Sequence, residues 1–225
     1  MTGAVIIPVF ADDSALEVLL QCLRAQSWAV LIVVVDGADL ASTRTIVAAN
    51  GCQYVRSLPG RGRQIRSAIE VVSDGMCLVL HADALVSEEM KSVWSVVSRS
   101  GDCWGRFDVA IAGLPVIAVM MNLRSRLTKI CTGDQAMFFD TKLLREAGGF
   151  SDLSLMEDIA TSRRLKKFFP KKYMPLKETV GASPRRWRLQ GVVRTVVSMW
   201  CYRLRFFFGA DADELYRTYY SGKTR

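Results

Sequence analysis

The chain has a single histidine, His81. None of its six cysteines, Cys22, Cys52, Cys77, Cys103, Cys131 and Cys201, is spaced as a CxxC pair. A zinc centre of Cys and His is therefore not expected, and the thiols read as reduced, mostly core residues of a cytosolic protein. Long apolar runs are also missing. The uncharged run 109–121 contains Pro115 and falls short of the roughly 20 apolar residues a spanning helix needs. The N-terminus, MTGAVIIPVF, has no basic segment ahead of its short apolar run, so it reads as a first strand and not a signal peptide. No internal repeat or low-complexity tract is present. Acidic residues are outnumbered, 22 against 30 basic ones, for a net charge of +8. Such a surface draws anions: nucleic acid, anionic lipid or a phosphorylated substrate. The aromatic residues do not interleave with basic ones in a recognised motif, so nucleic acid is not an expected partner.

What is present is alternation. With 225 residues, half of them hydrophobic, one compact domain is expected. Apolar runs at 4–8, 28–35, 53–56 and 76–80 read as strands. Helical stretches at 14–25, 42–49, 63–72 and 88–97 lie after them. Ser14 with Glu17 has capping-box spacing, and Asn50-Gly51 is a helix stop. Continuous apolarity, as in 28–35, suits a strand covered on both faces. Strands and helices in strict turn predict a doubly wound, mostly parallel sheet. The second half is less regular. It offers an edge-like strand at 104–109, a helix at 114–130, a strand at 136–139, and helices at 141–147 and from 156 to 168. Ser183 to Arg188, SPRRWR, reads as an arginine-rich loop. A long helix at about 189–208 follows. On it Val192, Val193, Val196, Val197, Trp200, Leu204, Phe207 and Phe208 share one apolar arc, on which Arg203 intrudes. That helix would dock on the domain, a partner or a membrane.

Asp36 and Asp83 each close an apolar strand, so a parallel sheet would bring both to its ligand-binding edge. One carboxylate near a base or ribose and another near a diphosphate-bound Mg2+ or Mn2+ would make a nucleotide site; strand-end aspartates equally cap helices and start turns. Arg61, Arg63 and Arg66 follow a glycine-rich turn. They would reach a diphosphate or form a solvated basic turn. Glu157-Asp158 opens a helix, where acids suit the dipole; one of them would also serve as a general base for a hydroxyl. Arg185 and Arg186 would clamp phosphate with Trp187 stacking, or lie in a plain surface loop. His81 alone reads as a ligand-edge or packed residue.

The ordered set Ile7-Pro8, Val35-Asp36-Gly37, Gly60-Arg61-Gly62-Arg63-Gln64, Leu80-His81-Ala82-Asp83, Gly105-Arg106-Phe107-Asp108, Thr132-Gly133-Asp134-Gln135, Gly148-Gly149-Phe150, Met156-Glu157-Asp158 and Ser183-Pro184-Arg185-Arg186-Trp187 resembles the family 2 glycosyltransferases of GT-A fold. Within that family it is most similar to a short, soluble bacterial transferase-like subgroup found in radical-SAM or selenium-related gene neighbourhoods. The resemblance implies a three-layer Rossmann-like α/β fold with a mostly parallel mixed central sheet and a C-terminal helix. It implies a nucleotide-sugar pocket of Pro8, Asp36, Arg61, Arg63, Gln64, His81, Ala82 and Asp83. Asp36 would contact base or ribose, and Asp83 would be the metal-binding acid of Asp-x-Asp, with Mg2+ or Mn2+ as cofactor. Asp158, or else Glu157, would deprotonate the acceptor hydroxyl. Gly133, Asp134 and Gln135 would line the acceptor side, and Arg185, Arg186 and Trp187 the diphosphate and lid. The sequence departs from the family pattern at His81, where the first acid of Asp-x-Asp stands. Phe10-Ala11-Asp12-Asp13 replaces the usual Asn-Glu, and Asp36-Gly37-Ala38-Asp39 replaces Asp-Gly-Ser.

The expectation is therefore one domain over 1–225. Residues 1–103 form its nucleotide-binding half, 104–188 its acceptor-binding half and 189–225 a helical appendage. The chain would be a metal-dependent inverting transferase moving sugar from a nucleotide-diphosphate donor to a hydroxyl acceptor. It would be cytoplasmic and would meet an anionic membrane face through the basic C-terminal helix. The alternatives are a nucleotidyltransferase on a related fold, and a non-catalytic membrane-surface module that kept the fold.

Overall fold

The computed structural model describes residues 3–28 and 30–221; the side chains of Arg186, Gln190, Tyr220 and Ser221 fall outside that description. Seven strands form one sheet: β1 (Gly3–Val9), β2 (Leu31–Asp36), β3 (Gln53–Arg56), β4 (Met76–Val79), β5 (Trp104–Ile111), β6 (Met137–Asp140) and β7 (Tyr173–Ala182), in the order β3-β2-β1-β4-β6-β5-β7. Neighbours are parallel except at β6, which runs against both β4 and β5. The expected mostly parallel mixed sheet is therefore found.

The helices are α1 (Asp13–Ala25), α2 (Ala41–Ala49), α3 (Arg61–Val71), α4 (Glu88–Ser100), α5 (Pro115–Thr128), α6 (Thr141–Glu146), α7 (Glu157–Phe168), α8 (Arg185–Gln190), α9 (Val192–Phe207) and α10 (Ala212–Ser221). Alternate β1 side chains face opposite ways, as the pleat requires. Val5, Ile7 and Val9 pack with Leu16, Leu19 and Leu20 of α1 and Trp94 of α4. Ala4 and Ile6 pack with Ile65 and Ala68 of α3, Leu143 and Leu144 of α6 and Leu165 of α7. Burial on both faces explains why these strands are apolar throughout.

Four details differ from the sequence reading. α1 begins at Asp13, and no side chain caps it; Ser14 is not its N-cap. β5 is not an edge strand, because β7 pairs outside it. A Cβ at Gly105 would sit 1.9 Å from the Met174 carbonyl oxygen, so the glycine permits that close pairing. Within Ser183–Arg188, residues from Arg185 onward form α8 rather than a loop. The expected long helix is split at Gly191, whose φ of +79° suits glycine and ends α8.

A third apolar cluster joins β5 to the C-terminal helices. Val109, Ile111, Ala118, Met121 and Trp187 form it, with Val192, Val196 and Met199 of α9 packed on it. α9 thus docks on the domain through Val192, Val196 and Met199.

Candidate functional site

The site is assembled by the ends of parallel strands and by two glycines that permit close approach. β4 stops at Val79, and the Leu80 N–H still donates to the Ile6 carbonyl at 3.0 Å. His81-Ala82-Asp83 then turn, with the Ala84 N–H on the His81 carbonyl at 3.0 Å. The chain is held again where Leu85 bridges Gly181 through two backbone hydrogen bonds of 2.9 and 2.8 Å. The triplet therefore sits between fixed points, beside β1. From β1 the chain crosses to β2 on one side, and from β3 it crosses to β4 on the other. Such a reversal opens the crevice where doubly wound sheets bind ligands.

Gly62 explains how Arg61 reaches this edge. A Cβ there would lie 2.3 Å from the Ser151 carbonyl oxygen and 2.5 Å from that of Leu153. Glycine lets the start of α3 press on the segment that leads into α7, which brings Arg61 against Glu157 and Asp158. Arg61 Nε donates to Glu157 Oε1, Nη1 contacts His81 Nε2, and Nη2 lies 3.3 Å from Asp158 Oδ2. A guanidinium can only donate, so His81 Nε2 is the acceptor. Its ring proton is then on Nδ1, which faces Asp134 Oδ1 at 3.3 Å. His81 is thus a neutral link with both nitrogens engaged.

Gly133 closes the other side. Its N–H donates to Asp158 Oδ2 at 2.8 Å, and a Cβ on it would lie 2.4 Å from both Arg61 Nη1 and His81 Nε2. Burial alone would lower the Arg61 pKa, but Glu157 and Asp158 outweigh it and hold the pKa above the usual arginine value. Burial pushes the Glu157 carboxyl up, with Arg61 working against that. Glu157 is 1% exposed and Asp158 9%, so Asp158 is the more open of the two acids.

The two strand-end aspartates are treated in opposite ways. Asp36 is 0% exposed. It accepts the Ala38 and Leu40 N–H groups, each at 2.8 Å, and the Tyr54 hydroxyl at 3.1 Å. Asp83 is exposed and has no hydrogen-bond or ion-pair partner among the described residues. Gln64 is buried; its amide donates to the carbonyls of Val9 at 2.7 Å and Val35 at 2.8 Å, tying β1 to β2. Pro8 and Ala82 are buried beside the edge. Arg63 turns outward to Asp152 at 3.6 Å and Asp213 at 4.0 Å, and Arg66 also pairs with Asp152, at 3.3 Å.

Gln135 is fully buried, and its Oε1 accepts the Thr132 N–H and hydroxyl. Of the acceptor-side trio, Gly133 and Asp134 thus meet the Arg61 cluster while Gln135 braces their turn from behind. Trp187 is 7% exposed in the β5–α5 cluster, which packs it as a core residue and not an open lid. Arg185 is exposed, and the side chain of Arg186 lies outside the described residues. The Arg106 of Gly105-Arg106-Phe107-Asp108 is completely buried. It donates to Ser125 Oγ at 3.1 Å, the Asn122 carbonyl at 3.0 Å and Asp108, fastening α5 to β5.

Two residues near the site had no role in the sequence reading. Arg124 of α5 reaches Gln135 Oε1 at 3.5 Å, and Arg203 of α9 lies close enough for Asp158 and Asp134 to act on its charge. The only signal in the sequence was Arg203 standing on an otherwise apolar arc.

The arrangement can hold a divalent cation in one way. Among the described residues no three His, Cys, Asp or Glu side chains converge as a metal site, and both His81 nitrogens are used. Asp83 offers one free carboxylate. Mg2+ is commonly held by one or two carboxylates plus substrate phosphates, so the donor set fits a cation that arrives with a diphosphate.

Solved structures share this architecture. A mannosyltransferase of Pyrobaculum calidifontis in complex with GDP-Man and Mn2+ superposes with a TM-score of 0.63 at 18% identity, over 97% of this chain and 69% of its own. The fold is that of the GT-A glycosyltransferases. A glucosyl-3-phosphoglycerate synthase of Mycobacterium tuberculosis in complex with Mn2+, UDP and glucosyl-3-phosphoglycerate gives 0.58 at 12% identity, over 79% and 70%. A mannosyl-3-phosphoglycerate synthase of Rubrobacter xylanophilus gives 0.57 at 14%, over 93% and 76%. No protein-family model and no curated protein matches the chain. In this fold the triplet after β4 and the start of α7 face each other across Arg61.

Proposed function

We propose that the protein is an inverting glycosyltransferase of the family 2 type, within the short bacterial subgroup its motifs resemble. It would transfer sugar from a nucleotide-diphosphate donor to a hydroxyl acceptor. The observation that carries this reading is the pairing of an open Asp83, unpartnered among the described residues, with an enclosed Arg61–Glu157–Asp158 cluster at one sheet edge. The neighbours' GDP-Man, UDP and Mn2+ ligands support it. Asp83 would hold Mg2+ or Mn2+ together with the donor diphosphate. Such a cation supplies positive charge where the leaving group becomes negative. Asp158 would take the acceptor proton as the acceptor oxygen bonds to the anomeric carbon. The bond from that carbon to the diphosphate oxygen breaks, and the nucleoside diphosphate leaves with the electron pair. One displacement inverts the anomeric centre. Arg61 and the Gly133 N–H would hold Asp158 in place, and Glu157 would balance Arg61.

A thermal-shift screen of nucleotide sugars with and without Mn2+ tests the reading. At least one diphosphate nucleotide should stabilise the protein, and Asp83→Ala should abolish that response. A flat response across the whole panel sinks the donor site. Asp158→Asn should cut turnover about 100- to 10,000-fold with nucleotide binding intact, and equal turnover in the variant removes Asp158 as the base.

A second observation supports contact with an anionic membrane surface. On α9, Val193, Val197, Trp200, Leu204 and Phe207 are each more than half exposed; on α5, so are Val116, Val119, Met120, Leu123 and Leu127. Neither 109–132 nor 179–210 contains an acid, while Arg188 and Arg194 flank the stripe. An apolar stripe beside unopposed arginines suits the boundary of an anionic bilayer. Among the described residues no helix is long and apolar enough to cross one. Sedimentation with phosphatidylglycerol vesicles, reduced in Trp200→Ser/Leu204→Ser, is the expected result; no sedimentation at low salt contradicts it.

A further inference from the structure

The Arg61 cluster uses its charges fully, but two arginines beside it do not. Arg124 lies one helical turn beyond Met121, and Arg203 one turn beyond Met199. Met121 and Met199 belong to the same apolar cluster, so each arginine stands just past the seam where α5 meets α9. Among the described residues the Arg124 guanidinium makes one hydrogen bond, the 3.5 Å approach to Gln135 Oε1. That oxygen already accepts two donors from Thr132. Arg124 Nε is buried with no partner among the described residues. Arg203 has no hydrogen bond or ion pair among the described residues, although its side chain is part-buried. Burial, and then the charge of Arg203, push the Arg124 pKa down to about 10. Burial likewise lowers that of Arg203, against the pull of Asp158 and Asp134. Both guanidiniums are still charged at neutral pH.

Two part-buried cations that repel each other, one with an orphaned donor, are costly unless an anion joins them. The Gly133–Gln135 turn connects them to the reacting centre: Asp158 accepts from its Gly133 end, and Arg124 touches its Gln135 end. The arginines are carried by α5 and α9, which hold none of the donor-edge residues Asp36, Arg61 or Asp83. We propose that Arg124 and Arg203 form an anion pocket for the acceptor, taking a phosphate or carboxylate group carried near the hydroxyl that reacts. The proposal rests on the glycosyltransferase reading and narrows the acceptor to an anionic molecule. A guanidinium pair suits such a group because its planar forks match two oxygens at once.

The test measures binding of inorganic phosphate and of glycerol 3-phosphate to the full chain by calorimetry. The expected result is saturable binding, weakened at least tenfold in Arg124→Gln and in Arg203→Gln. It should be unchanged in Arg24→Gln, on the far side of the fold, and in Asp83→Ala. Arg124→Lys and Arg203→Lys keep the charge and should retain part of the affinity, which separates a lost site from a lost fold. Phosphatidic acid vesicles form a second arm. Arginine-dependent binding to them, without binding of the soluble phosphates, assigns the anion to a lipid headgroup; arginine-dependent binding of the soluble phosphates assigns it to a free metabolite. Phosphate affinity equal to wild type in both glutamine variants overturns the proposal. Because nucleotide binding is read separately through Asp83→Ala, failure of the donor site and failure of this pocket are distinguishable.

Discussion

The ends of β2 and β4 look alike in sequence and differ in the fold. Each is a run of apolar residues closed by an aspartate or by a short turn ending in one. At β2 the carboxylate of Asp36 is sealed under three donors and organises the turn into α2. At β4 the carboxylate of Asp83 is exposed and unpartnered among the described residues. A satisfied buried carboxylate holds structure, because removing it strands its donors. An open one at a ligand crevice is free to bind. The difference also grades the Arg61 cluster: Glu157 is sealed like Asp36, while Asp158, its oxygens held by Gly133, Arg61 and Ile159, is slightly less buried.

Substitutions on the sealed side should act on stability, the largest first. Arg61→Met leaves Glu157 buried without its partner. Breaking such a pair typically costs about 3–5 kcal/mol, so chemical denaturation should show a loss of that order. A loss below 1 kcal/mol would mean that Glu157 is not sealed. Asp36→Ala should cost about 2–3 kcal/mol, because it strands two backbone donors and the Tyr54 hydroxyl. Asp83→Ala in the same assay should change stability by less than 0.5 kcal/mol, as an exposed unpartnered residue does. Equal costs for the two aspartates would erase the contrast.

The smallest effect concerns pH. The Glu157 pKa is raised in the fold above its ordinary 4.5, so the folded chain keeps a proton that the unfolded chain releases. Its contribution to stability is full below pH 4.5 and is lost as pH rises through the folded value. Glu157→Gln should therefore lie flatter than wild type in melting temperature from pH 4.5 upward. Parallel curves would show that Arg61 fully offsets the burial.

Much of this was legible before the fold was known, for physical reasons. β1, β2 and β4 are covered on both faces, so their apolar runs are continuous and unmistakable. β7 went unread because an exposed edge strand does not need them: YMPLKETVGA carries Pro175, Lys177 and Glu178, and proline is tolerated at such an edge. Asp36 and Asp83 both stood out, but nothing local separates them. Tyr54 and the backbone of Ala38 and Leu40 decide that, and Tyr54 lies a whole helix away in sequence. The link of Arg61 to His81 and Glu157 depends on Gly62 letting α3 approach the 151–154 segment. Arg124 and Arg203 are 79 positions apart, and only the packing of α5 and α9 on one apolar cluster brings them to one site.

The central claim is that Asp83 is the open carboxylate of a site completed by the donor's own phosphates. Mn2+ titration followed by the electron paramagnetic resonance of the free ion tests it most directly. The free-ion signal should fall little with protein alone, fall strongly when a nucleoside diphosphate is added, and stay high with Asp83→Ala under both conditions. A signal that falls equally in wild type and Asp83→Ala would contradict the account.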